Sequence, residues 1–196
     1  IGPDDIECIL ITHFHPDHSG MAGWFSKWTH APIHMNPKDM PAYSYECSNS
    51  NNGDETIKHM RHYGMKGPMS SIIESQAKIR STFVYPCEKF LPMNDRDIFP
   101  VCSGNLHVIH TPGHTDGHCV LLLPEKRNLF SADLLLPVTF SPICLHHFGD
   151  QNPVKTFLAT LRNFLDMDIS DFTILPGHGW RFDDPTGRAK LQAEYY

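Results

Sequence analysis

The stretch IECILITHFHPDHSG, residues 6–20, joins a short apolar run to a histidine-rich loop. Residues 6–12 are apolar and rich in β-branched side chains, which is typical of a buried β-strand. The loop at 13–20 follows directly, and from Ser19 onward apolar residues recur at helical spacing. The stretch therefore predicts a strand whose carboxyl end carries a functional loop, followed by a helix.

The imidazole and carboxylate side chains of this loop have the spacing of metal ligands. His13 and His15 are two residues apart in extended chain, where alternate side chains project to the same side, so both can reach one ion. Asp17 and His18 follow Pro16, which stiffens the turn, and can address a neighbouring ion. The loop therefore predicts one half of a two-metal site.

Three later segments place a ligand residue in a similar setting, after an apolar strand and in or beside a loop. They are TPGHTDGH at 111–118, LFSADLL at 129–135 and LPGHG at 175–179. Their candidate ligands are His114, Asp133 and His178. Neutral imidazole and carboxylate suit zinc, and they also suit iron and manganese.

The HxHxDH loop, the downstream GH, the strand-terminal Asp and the final GH, in this order, resemble the metallo-β-lactamase superfamily over essentially the whole chain. The resemblance implies an α/β fold, the αββα sandwich of that family, with the N-terminal strands missing or truncated. Residues 1–196 would form a single domain. The implied ligands are His13, His15 and His114 for the first metal, Asp17, His18 and His178 for the second, and Asp133 as the bridge.

The resemblance implies a dinuclear metal-dependent hydrolase. Two ions roughly 3.5–4 Å apart lower the pKa of a shared water toward ~7, and we expect a bridging hydroxide to attack the substrate. We expect two divalent ions, zinc in the first place, and Asp17 and Asp133 as catalytic carboxylates. The pattern is most similar to glyoxalase II, lactonases and uncharacterised bacterial hydrolases. Small esters, thioesters and lactones are the expected substrates.

Other activities of the same superfamily form alternative hypotheses. A persulfide-dioxygenase-like oxidoreductase would bind a single iron through His13, His114 and Asp133. A phosphodiesterase or ribonuclease would use the same two-metal chemistry, and a metal-stabilised scaffold would show no turnover. His15 argues against the oxygen-reducing flavodiiron branch, which typically has Glu at this position.

The remaining sequence alternates strand and helix patterns. Asn152 and Pro153 are a good N-cap and first helical residue for an amphipathic helix, and a tail helix is expected after Pro185. Residues 43–92 predict a helical insertion or lid, with helices near 55–63 and 70–80. Strands are expected at 31–35, 97–102, 106–111, 118–123, 128–132 and 172–175, with a turn at 103–105.

Several further side chains are candidates for contacts with substrate. His146 and His147 lie in the loop after Asp133, and Trp24 could line the pocket, although a core position is the expected one for Trp24 and Trp28. His118 is expected to be a buried, hydrogen-bonded histidine rather than a ligand.

The composition of the chain argues against some classes of binding partner. The formal net charge of −6 offers no basic field for phosphate backbones, so nucleic acid is not the expected partner. No apolar run approaches the ~20 residues of a membrane-spanning helix, and no membrane anchor is expected. The six cysteines show no CxxC spacing, which predicts reduced thiols and a cytoplasmic protein. A small-molecule acyl substrate remains the expected partner, and the oligomeric state is left open.

Overall fold

The strand that precedes the histidine loop lies in a parallel sheet. The computed structural model describes residues 2–47, 57–58, 60–64, 84–146 and 149–196. The sheet has the order β1-β2-β3, and both neighbouring pairs are parallel. Its strands are β1 (Ile9–Ile11), β2 (Ile33–Met35) and β3 (Leu91–Pro92). The histidine loop therefore begins at the carboxyl edge of this sheet.

Three helices accompany the parallel sheet. A single turn, α1 (Pro16–Ser19), and the longer α2 (Ala22–Thr29) connect β1 to β2. Helix α3 (Met40–Cys47) follows β2. The short α1 contains Asp17 and His18, so the second half of the HxHxDH motif is helical rather than extended.

A second sheet contains the remaining five strands in chain order. Strands β4 to β7 form an antiparallel meander, whereas β7 and β8 are parallel because a helix crosses over between them. The elements are β4 (Ile98–Val101), β5 (Gly104–His110), β6 (Cys119–Leu123), β7 (Asn128–Ala132), α4 (Pro153–Leu165), β8 (Thr173–Pro176) and a last helix, α5 (Pro185–Tyr195).

Helix α4 forms where the sequence predicts it. The Asn152 side chain accepts a hydrogen bond from the backbone of the first turn, and Pro153 occupies the first helical position. Phe157, Leu161 and Phe164 form the buried stripe and pack on the outer face of the second sheet. Full burial of each such side chain stabilises the fold by roughly 1.5–3 kcal/mol. Helix α4 is therefore anchored by its apolar face.

The two sheets face each other across a smaller core. Leu10 of β1 packs there against Val108, Cys119 and Leu121 of the second sheet. Helices α2 and α3 cover the opposite face of the first sheet. The arrangement is helix, sheet, sheet, helix, which confirms the predicted α/β sandwich. Among the described residues, no helix combines the length and apolar character needed to cross a membrane.

Strands β4 to β8 lie within two residues of the predicted ranges. The hairpin turn differs slightly: Val101 pairs with Gly104, so residues 102–103 make the turn and Gly104 belongs to β5. The predicted insertion at 43–92 is not helical throughout, because Leu91–Pro92 forms β3, which is too short to leave a sequence pattern. Residues 57, 58 and 60–62 are helical, whereas the helix expected at 70–80 lies outside the described residues.

The expected core position of the α2 tryptophans is wrong. Trp24 and Trp28 are each 41% exposed, and their rings stack on each other. The inner face of α2 needs small residues because another chain segment runs against it. Gly23 N donates to Tyr85 O, and a Cβ at Gly23 would lie 2.1 Å from Pro86 O. The large side chains of this helix therefore turn outward.

Asp39, which precedes α3, joins the loop after β1 to the loop after β5. Its buried carboxylate accepts hydrogen bonds from Phe14 N at 2.9 Å, Thr115 Oγ1 at 2.7 Å and Gly117 N at 2.6 Å. Burial raises the pKa of Asp39 to about 6, and the three hydrogen bonds oppose this shift. A Cβ at Gly117 would lie 2.7 Å from Asp39 Cγ, so the close packing of this backbone against Asp39 requires glycine at position 117.

We expect Asp39→Ala to lower the free energy of unfolding by at least about 3 kcal/mol. The substitution leaves three buried donors without an acceptor, and each costs about 1–3 kcal/mol. Denaturant unfolding measures the loss, and amide exchange at Phe14 and Gly117 should become faster. The control is Asp171→Ala, which removes an exposed ion pair with Arg127 and should cost less than ~1 kcal/mol. Equal losses in the two variants would contradict the role given to Asp39.

Candidate metal centre

Three imidazole nitrogens converge where the loops after β1 and β5 meet. His13 Nε2 lies 3.1 Å from His15 Nδ1, and His114 Nε2 lies 3.3 Å from His13 Nε2 and 3.0 Å from His15 Nδ1. A tetrahedral ion with bonds of ~2.0–2.1 Å places its ligand atoms roughly 3.3 Å apart. The spacing of the three nitrogens therefore fits one ion.

A second group forms beside the first. Asp17 and His18 lie on α1, and His178 follows β8. His18 Nε2 is 3.2 Å from His178 Nε2, and Asp17 Oδ2 is 3.0 Å from His178 Nε2 and 3.6 Å from His18 Nε2. The candidate ligand atoms of this group lie within 4.8 Å of one another. The same loop serves both groups because its second half turns into a helix.

Asp133 lies between the two groups. Its Oδ2 is 3.6 Å from both His114 Nε2 and His178 Nε2, and its Oδ1 is 3.3 Å from His18 Nε2. The Oδ1 atom is buried, and its geometry with His18 does not make a hydrogen bond. A buried carboxylate oxygen without a partner is costly, and a cation between the groups would offset that cost.

The buried histidines are in the protonation state that binds a metal. Burial and the neighbouring imidazoles lower the pKa of His13 well below its ordinary value, and burial also lowers the pKa of His114. His114 Nδ1 donates to Pro142 O at 2.7 Å, which leaves the Nε2 lone pair directed at the other two histidines. Neutral imidazoles with their lone pairs turned inward are suited to hold a divalent ion.

His118 lies beneath the groups and supports Asp133. It is fully buried, accepts a hydrogen bond from Asp133 N at Nε2 over 3.2 Å, and donates from Nδ1 to Thr111 Oγ1 over 2.8 Å. Burial and the surrounding imidazoles lower the pKa of His118 well below its ordinary value. Both ring nitrogens are therefore engaged in hydrogen bonds, as the sequence led us to expect.

The glycine before His178 makes room for the second group. A Cβ at Gly177 would lie 2.4 Å from Asp133 Oδ1 and 2.7 Å from His18 Cε1. Gly177 N also donates to Ala132 O at 2.8 Å, which fixes the loop after β8 against the end of β7. The backbone of the PGHG segment can thus approach the Asp133 carboxylate closely only because residue 177 is glycine.

A pocket of about 770 Å³ opens onto both groups. Phe14, Leu136 and Pro142 supply its apolar wall, and none of its described lining residues is Lys or Arg. His146 lies in this wall, with its ring centroid 6.3 Å from that of His15. Other lining residues include Glu46, Thr139 and Cys144.

Of the other two predicted substrate contacts, the structure describes only Trp24. Trp24 stacks on Trp28 at the surface of α2 and is absent from the described lining. His147 lies outside the described residues.

Comparison with known proteins agrees with the geometry. The metallo-beta-lactamase family protein TTHA1429 from Thermus thermophilus superposes with a TM-score of 0.83 at 26% identity, covering 98% of this chain and 62% of that one. The probable metallo-hydrolase YqjP of Bacillus subtilis (strain 168) is 23% identical over 185 residues, which cover 89% of this chain and 54% of YqjP.

A third similar protein is the atrochrysone carboxyl ACP thioesterase of Claviceps purpurea (strain 20.1). It is 26% identical over 98 residues, which cover 50% of this chain and 28% of the thioesterase. The chain thus spans about half the length of YqjP and less than a third of the thioesterase.

The family model described as the Metallo-beta-lactamase superfamily matches residues 1–178, a range that contains both ligand groups and Asp133. With the helix, sheet, sheet, helix architecture and the ligands at the strand ends, this match places the chain in the metallo-β-lactamase superfamily.

Proposed function

We propose that this protein is a dinuclear hydrolase that cleaves a small ester, thioester or lactone with the help of two divalent ions. The observation that carries the proposal is the pair of converging ligand groups with Asp133 between them, open to one pocket. Zinc is the first choice because imidazole and carboxylate donors at this spacing suit it, and iron and manganese use the same donors. Membership of a superfamily of metal-dependent hydrolases supports the reaction type.

The ions would lower the pKa of a water molecule and polarise the oxygen of the bond that breaks. The residues that would hold these ions are His13, His15 and His114 on one side and Asp17, His18 and His178 on the other. The Asp133 carboxylate between them would offset part of the repulsion between two positive charges. The Asp17 side chain is 56% exposed at the pocket, so its Oδ2 can accept a proton from the attacking water and pass it to the leaving group.

The pocket wall favours an uncharged acyl group. Phe14, Leu136 and Pro142 offer apolar contact, and the absence of Lys and Arg from the described lining disfavours a polyanion such as RNA. Glu46 of α3 also lines the pocket, so the region predicted as a lid contributes to it. The similarity to a fungal ACP thioesterase supports thioesters within this class.

The second ligand group weighs against a mononuclear iron oxidoreductase. That alternative needs only His13, His114 and Asp133. Asp17, His18 and His178 nevertheless converge within 4.8 Å as a second set of candidate ligands, which a single ion held by the other three does not require. A two-ion hydrolase accounts for both groups.

We expect the metal-free protein to bind two equivalents of Zn²⁺. His178→Ala should bind one equivalent tightly, because it loses a ligand of the second group only. Isothermal titration calorimetry and metal analysis after dialysis measure the stoichiometry. The control is His30→Asn, which alters an exposed histidine in the left-handed backbone region that Asn also tolerates. One equivalent in the unaltered protein would contradict the dinuclear proposal.

We expect the zinc-loaded protein to hydrolyse at least one member of an ester, thioester and lactone panel, and chelation to abolish this activity reversibly. Asp133→Asn should reduce kcat/KM on the order of a hundredfold or more, because loss of an outer-sphere partner of a ligand already costs about 10–100-fold. Asp171→Asn, at the exposed Arg127 pair, should keep full activity.

Other outcomes would favour the alternatives. One iron per chain with thiol-dependent oxygen uptake would replace the hydrolase by the oxidoreductase. Cleavage of single-stranded RNA without turnover of the acyl panel would indicate a ribonuclease. Bound metal with no turnover of any of these substrates would indicate a scaffold.

A further inference from the structure

We infer that Gln192, a residue of α5 outside the pocket, positions two of the metal ligands. The inference deepens the proposed function and rests on its metal centre. Gln192 is fully buried although it is polar, and the two hydrogen bonds described for its amide go to residues that are not candidate ligands. Its partners are backbone groups in two different segments near the centre.

The Gln192 amide joins these two segments. Its Oε1 accepts from Ser141 N at 3.1 Å, and its Nε2 donates to Leu134 O at 2.7 Å. Both bonds are buried, so water cannot replace either of them. Leu134 immediately follows Asp133, the carboxylate between the two ligand groups. One end of the amide therefore holds the backbone that carries the shared ligand.

The other end of the amide holds the support of His114. Ser141 Oγ lies 3.2 Å from His114 Nδ1, and Pro142 O accepts from the same nitrogen at 2.7 Å. These contacts set the tautomer of His114 and the direction of its Nε2 lone pair. Fixing Ser141 therefore fixes an imidazole of the three-histidine group.

The rest of the C-terminal segment fastens the same loop. The Tyr196 hydroxyl donates to Ser141 O, and the Arg188 guanidinium donates to Thr139 O. Arg188 also lies over the ring of Phe140, 4.7 Å from its centroid. These side chains are partly or largely exposed, so their contacts are less restrictive than the buried amide. The loop after Asp133 thus takes its position from the C-terminal segment, with Gln192 as the fully buried link.

Glutamine is the residue type that this position requires. Its amide accepts and donates at the same time, which matches one backbone N–H and one backbone carbonyl. An ionised Glu would keep the acceptor but turn a carboxylate oxygen toward Leu134 O. A Leu would leave both buried backbone groups without partners. A purely structural role predicts lower stability in such variants, whereas a positioning role also predicts weaker metal binding.

The test compares metal affinity in the wild type, Q192E and Q192L. Each metal-free protein is titrated with Zn²⁺ against a chromophoric chelator, and Co²⁺ absorption reports the ligand geometry. We expect both variants to bind the tighter ion about tenfold more weakly than the wild type, with an altered Co²⁺ spectrum. The control is Ala189→Gly, one turn earlier on α5, which loosens the helix without touching either hydrogen bond. It should melt at lower temperature and bind metal as the wild type does.

Each possible result supports or contradicts either the positioning role of Gln192 or the proposed metal centre. Variants that melt at lower temperature but bind Zn²⁺ with wild-type affinity would overturn the positioning role, as would an equal loss of affinity in Ala189→Gly. Should Q192L fail to fold by near-UV circular dichroism, Q192E alone decides, since it preserves shape and the acceptor. A wild-type protein that binds no metal would overturn the proposed function together with this inference, whereas two ions bound equally by all proteins would overturn this inference alone.

Discussion

The hydrogen bonds that the buried Asp39 carboxylate accepts are the constraint on which the centre depends. His13 and His15 follow a strand of one sheet, while His114 follows a strand of the other. A productive site tolerates displacements of only about 0.5 Å, and apolar contact between two sheets is not directional enough to supply this. Bonds of 2.6–2.9 Å from one carboxylate to Phe14, Thr115 and Gly117 are directional. They therefore set the separation of the imidazoles.

The arrangement of the candidate ligands is energetically unfavourable, and the rest of the fold must stabilise it. Three imidazoles direct nitrogens at one another across 3.0–3.3 Å, and Asp133 Oδ1 is buried without a hydrogen bond. Such an arrangement persists only where the surroundings hold it in place. Asp39 does so from the segment before α3, His118 from beneath the ligand groups and Gln192 from α5. A bound cation would replace the same repulsion by ligation, which is consistent with the many buried polar groups around this point.

The candidate ligands could be identified from the sequence because they stand in loops that follow apolar runs. Helix α4 was equally visible, since Asn152 and Pro153 mark its start. The roles of Asp39 and Gln192 could not be predicted, because both residues occur in ordinary polar segments. Their hydrogen-bond partners are also distant in sequence, at least 25 residues away for Asp39 and at least 51 for Gln192. The exposure of Trp24 could not be predicted for a similar reason, because this exposure depends on the segment at 85–86 that packs against Gly23.

The two ligand groups differ in burial, and this difference predicts which group would bind its ion more tightly. His13 and His114 are 0% and 1% exposed, whereas the side chains of Asp17 and His178 are 56% and 50% exposed. Ligands that are buried and held by outer hydrogen bonds need little rearrangement to bind, so the three-histidine group should retain its ion more tightly. The exposed group faces the pocket, where substrate enters and where Asp17 can exchange protons. The same exposure that would weaken the binding of a second ion would therefore leave that side of the centre open to substrate.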